Sequence, residues 1–349
     1  MQKSSFAMNL LAVIALIFIL KAGSFILLPF VVALFLWVLI WVFDTAIEHE
    51  VVNRFRLPRF LLNFSSLFSI ALIVWLFWLT VSTLWSQAHE IFASVLSYRE
   101  SLPAIASNIN ERLRVNILPL AENIMPSDET LKNVFSRVLP ATAGFVRSVG
   151  LVVIYLMFML MERSSLEKKL PLVFKGALKI KKDAGKLLRN ILSKVRTYLL
   201  LKSLSGLVTG LLSYALMSYV GLEFAGGWAV FIGVMNFIPT LGVIISSAGP
   251  IIYSLLQFGG APAPFLTVLI GLSAIQFILG QLIEPRLMGK NVNISPLAQI
   301  VSIVLWGWIW GPVGMFLCIP IMIILSIVLY NIPSTKRIAI LISEDGETI

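Results

Sequence analysis

Charge is scarce in this chain, and cysteine and histidine are scarcer still. Only 13% of the 349 residues are charged while 58% are hydrophobic, roughly half the charge that a soluble domain carries. A water-exposed fold has too few polar residues here to cover itself. The one cysteine, Cys318, lies inside an apolar run, which excludes an intrachain disulfide and a cysteine metal cluster and leaves a small packed hydrophobe. The two histidines, His49 and His89, fall in separate loops without His-Glu-x-x-His spacing, so the usual zinc hydrolase signature is missing. No Gly-x-x-x-x-Gly-Lys-Ser/Thr loop is present to cradle ATP phosphates, and no Gly-x-Ser-x-Gly elbow to carry a nucleophile. Nothing points to an enzyme, a cofactor or a metal.

What the chain has in abundance is long apolar runs. They cover about 8–20, 25–43, 63–85, 141–161, 199–220, 227–257, 264–283 and 296–331, most of them long enough to cross roughly 30 Å of hydrocarbon at 1.5 Å per residue. The runs are continuous rather than alternating, so helices and not barrel strands are expected. The reading is an all-α polytopic membrane protein of about eight membrane segments. Lys3 ahead of Asn9 to Leu20 resembles a signal peptide, but apolar character resumes from Phe25 to Phe43, so a retained hairpin across Lys21 is expected, without cleavage.

Two runs are too long for one helix. Residues 227–257 are interrupted by Pro239 and Gly242, and 296–331 by Gly311, Pro312 and Gly314. Proline removes a backbone donor, so each is expected to form a helical hairpin, re-entrant or fully spanning.

Basic residues set the orientation. Segment 162–198 holds eleven Lys and Arg against three acids, while 86–140 holds five against six. The first is therefore expected on the cytoplasmic side and the second outside. The net charge of +10 thus reflects topology, and no nucleic-acid partner is implied. Six parts follow: membrane helices in 1–85, an extracytoplasmic loop 86–140, a membrane helix 141–161, a basic segment 162–198, a membrane core 199–335 with both broken hairpins, and a tail 336–349. Both termini are expected inside. Ile91, Val95, Leu102, Ile105, Ile109 and Leu113 repeat at helical spacing, which makes the outer loop a small helical subdomain. Leu166, Leu170, Val173, Phe174, Ala177 and Ile180 form an apolar face ringed by lysines, a pattern for a helix on anionic headgroups, with a solvated basic face as the alternative.

Broken helices free backbone polar groups that only protein or a wet cavity can satisfy, and transporters build sites from them. In the first break Asn236 offers a donor and an acceptor, Pro239 and Gly242 open the ladder and Thr240 supplies a hydroxyl. A small polar solute or ion fits this set; a plain kink is the other reading. A second polar group, Gln276, Gln281 and Glu284, precedes Pro285 and Gly289. Glu284 is read either as a cation or proton site or as an interfacial cap paired with Arg286. Glu223 and Asp44 sit at segment ends. Gly206 with Gly210, and Gly307 with Gly311, have the spacing of close helix packing, and Trp306, Trp308 and Trp310 that of interfacial anchors.

The C-terminal third carries a resemblance. Asn236-Phe-Ile-Pro-Thr-Leu-Gly242, Glu284-Pro-Arg-Leu-Met-Gly289 through Pro296, Trp306-Gly-Trp-Ile-Trp-Gly311-Pro-Val-Gly314 and Ile319-Pro320 are similar to the bacterial autoinducer-2 exporter family of inner-membrane permeases. The hydropathy profile of the whole chain is similar too. The resemblance implies a bacterial inner-membrane location, about eight segments per subunit, and homo-oligomers, pentamers among them. It also implies export of small molecules such as the quorum-sensing signal autoinducer-2, with sodium/proton antiport in some members.

Three functions compete on these residues: an exporter of a small polar metabolite, a monovalent cation/proton antiporter using Glu284, and a non-transporting scaffold whose outer loop binds a partner. The first is expected, through a path at Asn236, Pro239, Thr240, Gly242, Gln276, Gln281 and Glu284. Pro285, Gly289, Pro296, Gly307, Gly311, Gly314 and Pro320 are expected to shape the hairpins.

Overall fold

A computed structural model describes residues 2–47, 149–162, 184–289 and 292–346, with Ser165, Lys169 and scattered positions between 75 and 107. The predicted span 63–85, the outer loop 86–140 and the amphipathic stretch 166–180 lie outside the described residues, those few positions apart. Every regular element among the described residues is helical. In chain order they are α1 (Gln2–Ala22), α2 (Ser24–Ile47), α3 (Val149–Met161), α4 (Ala184–Val220), α5 (Ala225–Met235), α6 (Leu241–Gln257), α7 (Pro262–Phe277), a π-helical turn (Ile278–Ile283), α8 (Glu284–Met288), α9 (Pro296–Asn331) and α10 (Lys336–Ile342). Large apolar side chains such as Phe18, Leu204, Leu207 and Val304 are exposed, a surface suited to lipid.

Three stretches among the described residues, Gly185–Val220, Pro262–Met288 and Pro296–Asn331, are long and apolar enough to cross a membrane, and the bent pair Ile14–Ala22 with Ser24–Ile40 makes a fourth. The sequence predicts about eight segments. The legs of 11 and 17 residues in α5 and α6 reach only about 16 and 26 Å, and 63–85 is not described.

The chain divides into two compact units, 1–69 with 141–200 and 290–349, and 70–140 with 201–289. In the first, α1 and α2 meet at Gly23 with a bend of 87°, not the full reversal expected across Lys21. Gly23 ends one helix and starts the next: its N–H donates to Ile19 at 2.8 Å and its carbonyl accepts from Leu27 at 2.9 Å. Trp310 Nε1 donates to the Leu20 carbonyl at 3.0 Å, and Lys21 Nζ lies 3.5 Å over the Trp308 ring. The tryptophans therefore hold this bend.

Helix α9 folds back on itself. Gly311 stands at φ 65, ψ −149, and Ser302 Oγ donates to the Cys318 carbonyl at 3.5 Å across 16 residues. A straight helix would hold those residues about 24 Å apart. A Cβ on Gly314 would collide with the Trp306 carbonyl, and one on Gly307 would come within 2.6 Å of Met315 Cε. The predicted second hairpin is thus present, and Gly307 and Gly311 serve its turn rather than a contact between separate helices. Ser295 caps its start by accepting from Ala298 N–H at 3.2 Å, just ahead of Pro296 at the first helical position. Pro320 is buried in the returning leg. The chain end closes over this start, with Ser295 N–H donating to Ile342 at 2.9 Å and Asn293 bonded to Asp345 and to the Glu344 N–H.

In the second unit α5 and α6 form the first predicted hairpin. Phe224 and Trp228 stack around Tyr253 with centroids 5.8 and 6.1 Å away, and a Cβ on Gly249 would reach 2.5 Å from the Trp228 ring. The tip turns sharply at Thr240, φ 57 and ψ −60, where Leu241 N–H bonds the Pro239 carbonyl. This is a γ-turn of the strained hand, unusual for a β-branched residue. Gly242 is required beside it, because a Cβ there would collide with the Met235 carbonyl.

Helix α4 packs on α5 through small residues. A Cβ on Gly206 would lie 2.6 Å from the Gly233 carbonyl oxygen, and one on Gly210 would lie 3.1 Å from that of Ala229. The Gly206 and Gly210 pair thus allows the close helix approach its spacing predicts. The same helix starts at Ala184, so residues 184–198 of the expected basic segment 162–198 are helical and continuous with a span.

Candidate functional site

The close approach of α4 and α5 brings four polar side chains together inside an apolar unit. Lys202 Nζ donates to the Asn236 carbonyl at 2.9 Å and forms an ion pair with Glu284. Ser205 Oγ donates to Glu284 Oε2 at 3.2 Å and accepts from Asn236 Nδ2 at 3.1 Å. The contacts close a ring. Lys202 is 6% exposed, Asn236 4%, and the Glu284 side chain 12%.

Local sequence explains each position. In a continuing helix the Asn236 carbonyl would accept from the Thr240 N–H. Pro239 and the turn at Thr240 end the ladder, and the carbonyl is left facing α4, where an ammonium meets it. Ser205 lies three residues beyond Lys202 on one helix face. Glu284 follows directly on the π-helical turn.

A cleft of about 100 Å³ adjoins the ring between α4 and the π-helical turn. Its walls are Leu201, Leu204, Val208, Leu279, Ile283 and Leu287, and Ser205 and Glu284 supply its polar atoms. The cleft is a shallow, mainly apolar groove at the surface of the unit, with Leu204 and Leu287 each 55% exposed.

Of the predicted path residues, Asn236 and Glu284 join this ring. Pro239 is half-buried at the hairpin tip, Thr240 is exposed, and Gly242 is buried at the start of α6. Gln276 is buried but donates to Ser247 Oγ at 3.3 Å, outside the ring. Gln281 is exposed, as are Pro285 and Gly289, the latter at φ 47. Glu284 pairs with Lys202, so the interfacial cap with Arg286, itself exposed, is not formed. Pro296, Gly307, Gly311, Gly314 and Pro320 belong to the other unit.

Lys202 is the residue that reading the sequence overlooks. It is the single charge within the apolar run 199–220, and a lone cation inside a span marks a functional or paired position.

A second polar group closes the open end of the first hairpin. Tyr253 donates to Glu223 Oε2 at 2.8 Å, while Gln257 accepts from Glu223 N–H and donates to the Gly221 carbonyl, both at 2.9 Å. Tyr98 meets Tyr253 edge to face at 6.0 Å, and burial, then the charge of Glu223, push the Tyr98 hydroxyl above the ordinary phenol range.

A family model described as AI-2E family transporter matches residues 7–334. The chain is 29% identical over 330 residues to the AI-2 transport protein TqsA of Escherichia coli (strain K12), covering 93% of this chain and 91% of that one. It is 31% identical over 346 residues to a putative transport protein of Haemophilus influenzae, covering 96% of each. It is also 28% identical over 281 residues to the putative transport protein YhhT of Escherichia coli (strain K12), covering 78% of each.

Proposed function

Since the chain belongs to the AI-2E transporter family, we propose that it exports a small polar solute across a bacterial inner membrane, with the ring of Lys202, Ser205, Asn236 and Glu284 as its binding station. The observation that carries this reading is the buried ammonium of Lys202, shared between Glu284 and a main-chain carbonyl freed by the broken hairpin. Inside a bilayer an unsatisfied backbone group costs several kcal/mol and a charge costs more. A ring of this kind persists in a membrane protein where it lines a path.

The ring is neutral as a whole and offers both donors and acceptors. A small neutral solute bearing hydroxyl or carbonyl groups exchanges hydrogen bonds with it and leaves no charge uncompensated. The printed name of the Escherichia coli relative, an AI-2 transport protein, supports a cargo of that class.

Flux of candidate solutes through purified protein in sealed vesicles tests the reading, with Asn236→Ala and Lys202→Met as controls. Loss of flux in both variants is the expected result. Unchanged flux in both overturns the site. Sodium-dependent proton movement that disappears in Glu284→Gln would replace solute export by cation/proton exchange.

A further inference from the structure

The face of α7 that packs into its unit is drawn by Val268, Leu272 and Gln276, all buried and four residues apart. At about 100° per residue, an unbroken α-helix would next bring Ile283 within about 20° of Gln276 and leave Glu284 about 80° away. The structure has the reverse. Ile283 is 41% exposed and Glu284 is inside, paired with Lys202.

The one-residue slip occurs in the π-helical turn Ile278–Ile283. Glu284 N–H donates to the Leu279 carbonyl, five residues back instead of four, and the extra residue sets everything after it back by about 100°, which returns Glu284 from about 80° to within about 20° of Gln276. The next residue supplies a cause. Pro285 has no N–H for the Gln281 carbonyl, and its ring would strike that carbonyl in a regular α-helix. Widening the turn moves the carbonyl aside.

We propose that Pro285 is a positioning residue: by enforcing the wide turn it sets the register that places the Glu284 carboxylate against Lys202 and Ser205. Pro285 is exposed and does not line the cleft, so it acts through Glu284 alone. With alanine in its place, the helix relaxes to regular α form, Ile283 turns inward, and Lys202 loses its carboxylate. The consequence for transport rests on the proposed function; the register itself does not.

Two readouts separate these. In chains carrying Cys318→Ser, the pair Lys202→Cys with Glu284→Cys is treated in membranes with a short bifunctional thiol reagent. Bridging is expected, is lost when Pro285→Ala is added, and returns when Leu282, an exposed residue of the turn outside the cleft lining, is also deleted, because removing one residue restores the phase of Glu284 in a regular helix. Pro285→Ser is expected to behave as Pro285→Ala. Flux, measured with Lys202, Glu284 and Cys318 intact, follows the same order: loss with Pro285→Ala, recovery with the deletion. Bridging that survives both substitutions overturns the proposal, and so does bridging that is lost and not regained on deletion. Bridging that obeys the register while flux stays constant upholds the positioning and removes the ring from the transport path.

Discussion

The ammonium of Lys202 stands between the Glu284 carboxylate and the Asn236 main-chain carbonyl, so one cation both neutralises an acid and terminates a broken helix. Removing one member of a buried ion pair costs more than removing both, because the survivor is left without compensation. Lys202→Met is therefore expected to destabilise the protein by about 3 kcal/mol or more. The double variant Lys202→Met with Glu284→Leu should regain most of that loss without regaining flux. Thermal unfolding in detergent and vesicle flux measure the two effects; equal destabilisation by the single and double variants would contradict the pairing.

Thr240 occupies a backbone conformation that glycine adopts with less strain. Thr240→Gly should stabilise the first hairpin by about 1 kcal/mol, and Thr240→Val should give no such gain. A lower melting temperature for the glycine variant would refute the strain.

Gly206 lets α4 touch the Gly233 backbone. Gly206→Val should cost about 2 kcal/mol through overpacking and should lower flux as well, since it pushes Lys202 and Ser205 away from Asn236. A variant with unchanged stability and flux would mean the helices are not held this closely.

Trp310 donates to the Leu20 carbonyl beside the bend at Gly23. Trp310→Phe keeps an aromatic ring and removes the N–H, so a loss of about 1 kcal/mol is expected. Protease accessibility at residues 20–24 should rise in parallel.

Both hairpins were legible because proline and glycine act locally: Pro239 with Gly242, and Gly311 with Pro312 and Gly314, stand where the chain turns. Asn236 and Glu284 were legible as polar groups in apolar surroundings. Lys202 was not, since averaging over 199–220 hides one charge among apolar neighbours, and its partners come later in the chain. The 87° bend at Gly23 is not legible either, because Lys21 is the charged residue between the two apolar runs while the residue that bends the chain stands two positions on. The π-helical turn has no periodic signature of its own. The five-residue hydrogen bond from Glu284 N–H to the Leu279 carbonyl and the contrast between exposed Ile283 and largely covered Glu284 reveal it in the structure.

The order of the ring along the chain has a consequence for biosynthesis. During translation Lys202 reaches the translocon before Asn236, and Glu284 emerges last. A lone lysine inside an apolar run raises the cost of insertion, and α4 bears that penalty until the acid arrives. A nascent chain released before Glu284 would leave the lysine stranded, a mark by which membrane quality control could tell unfinished chains from complete ones.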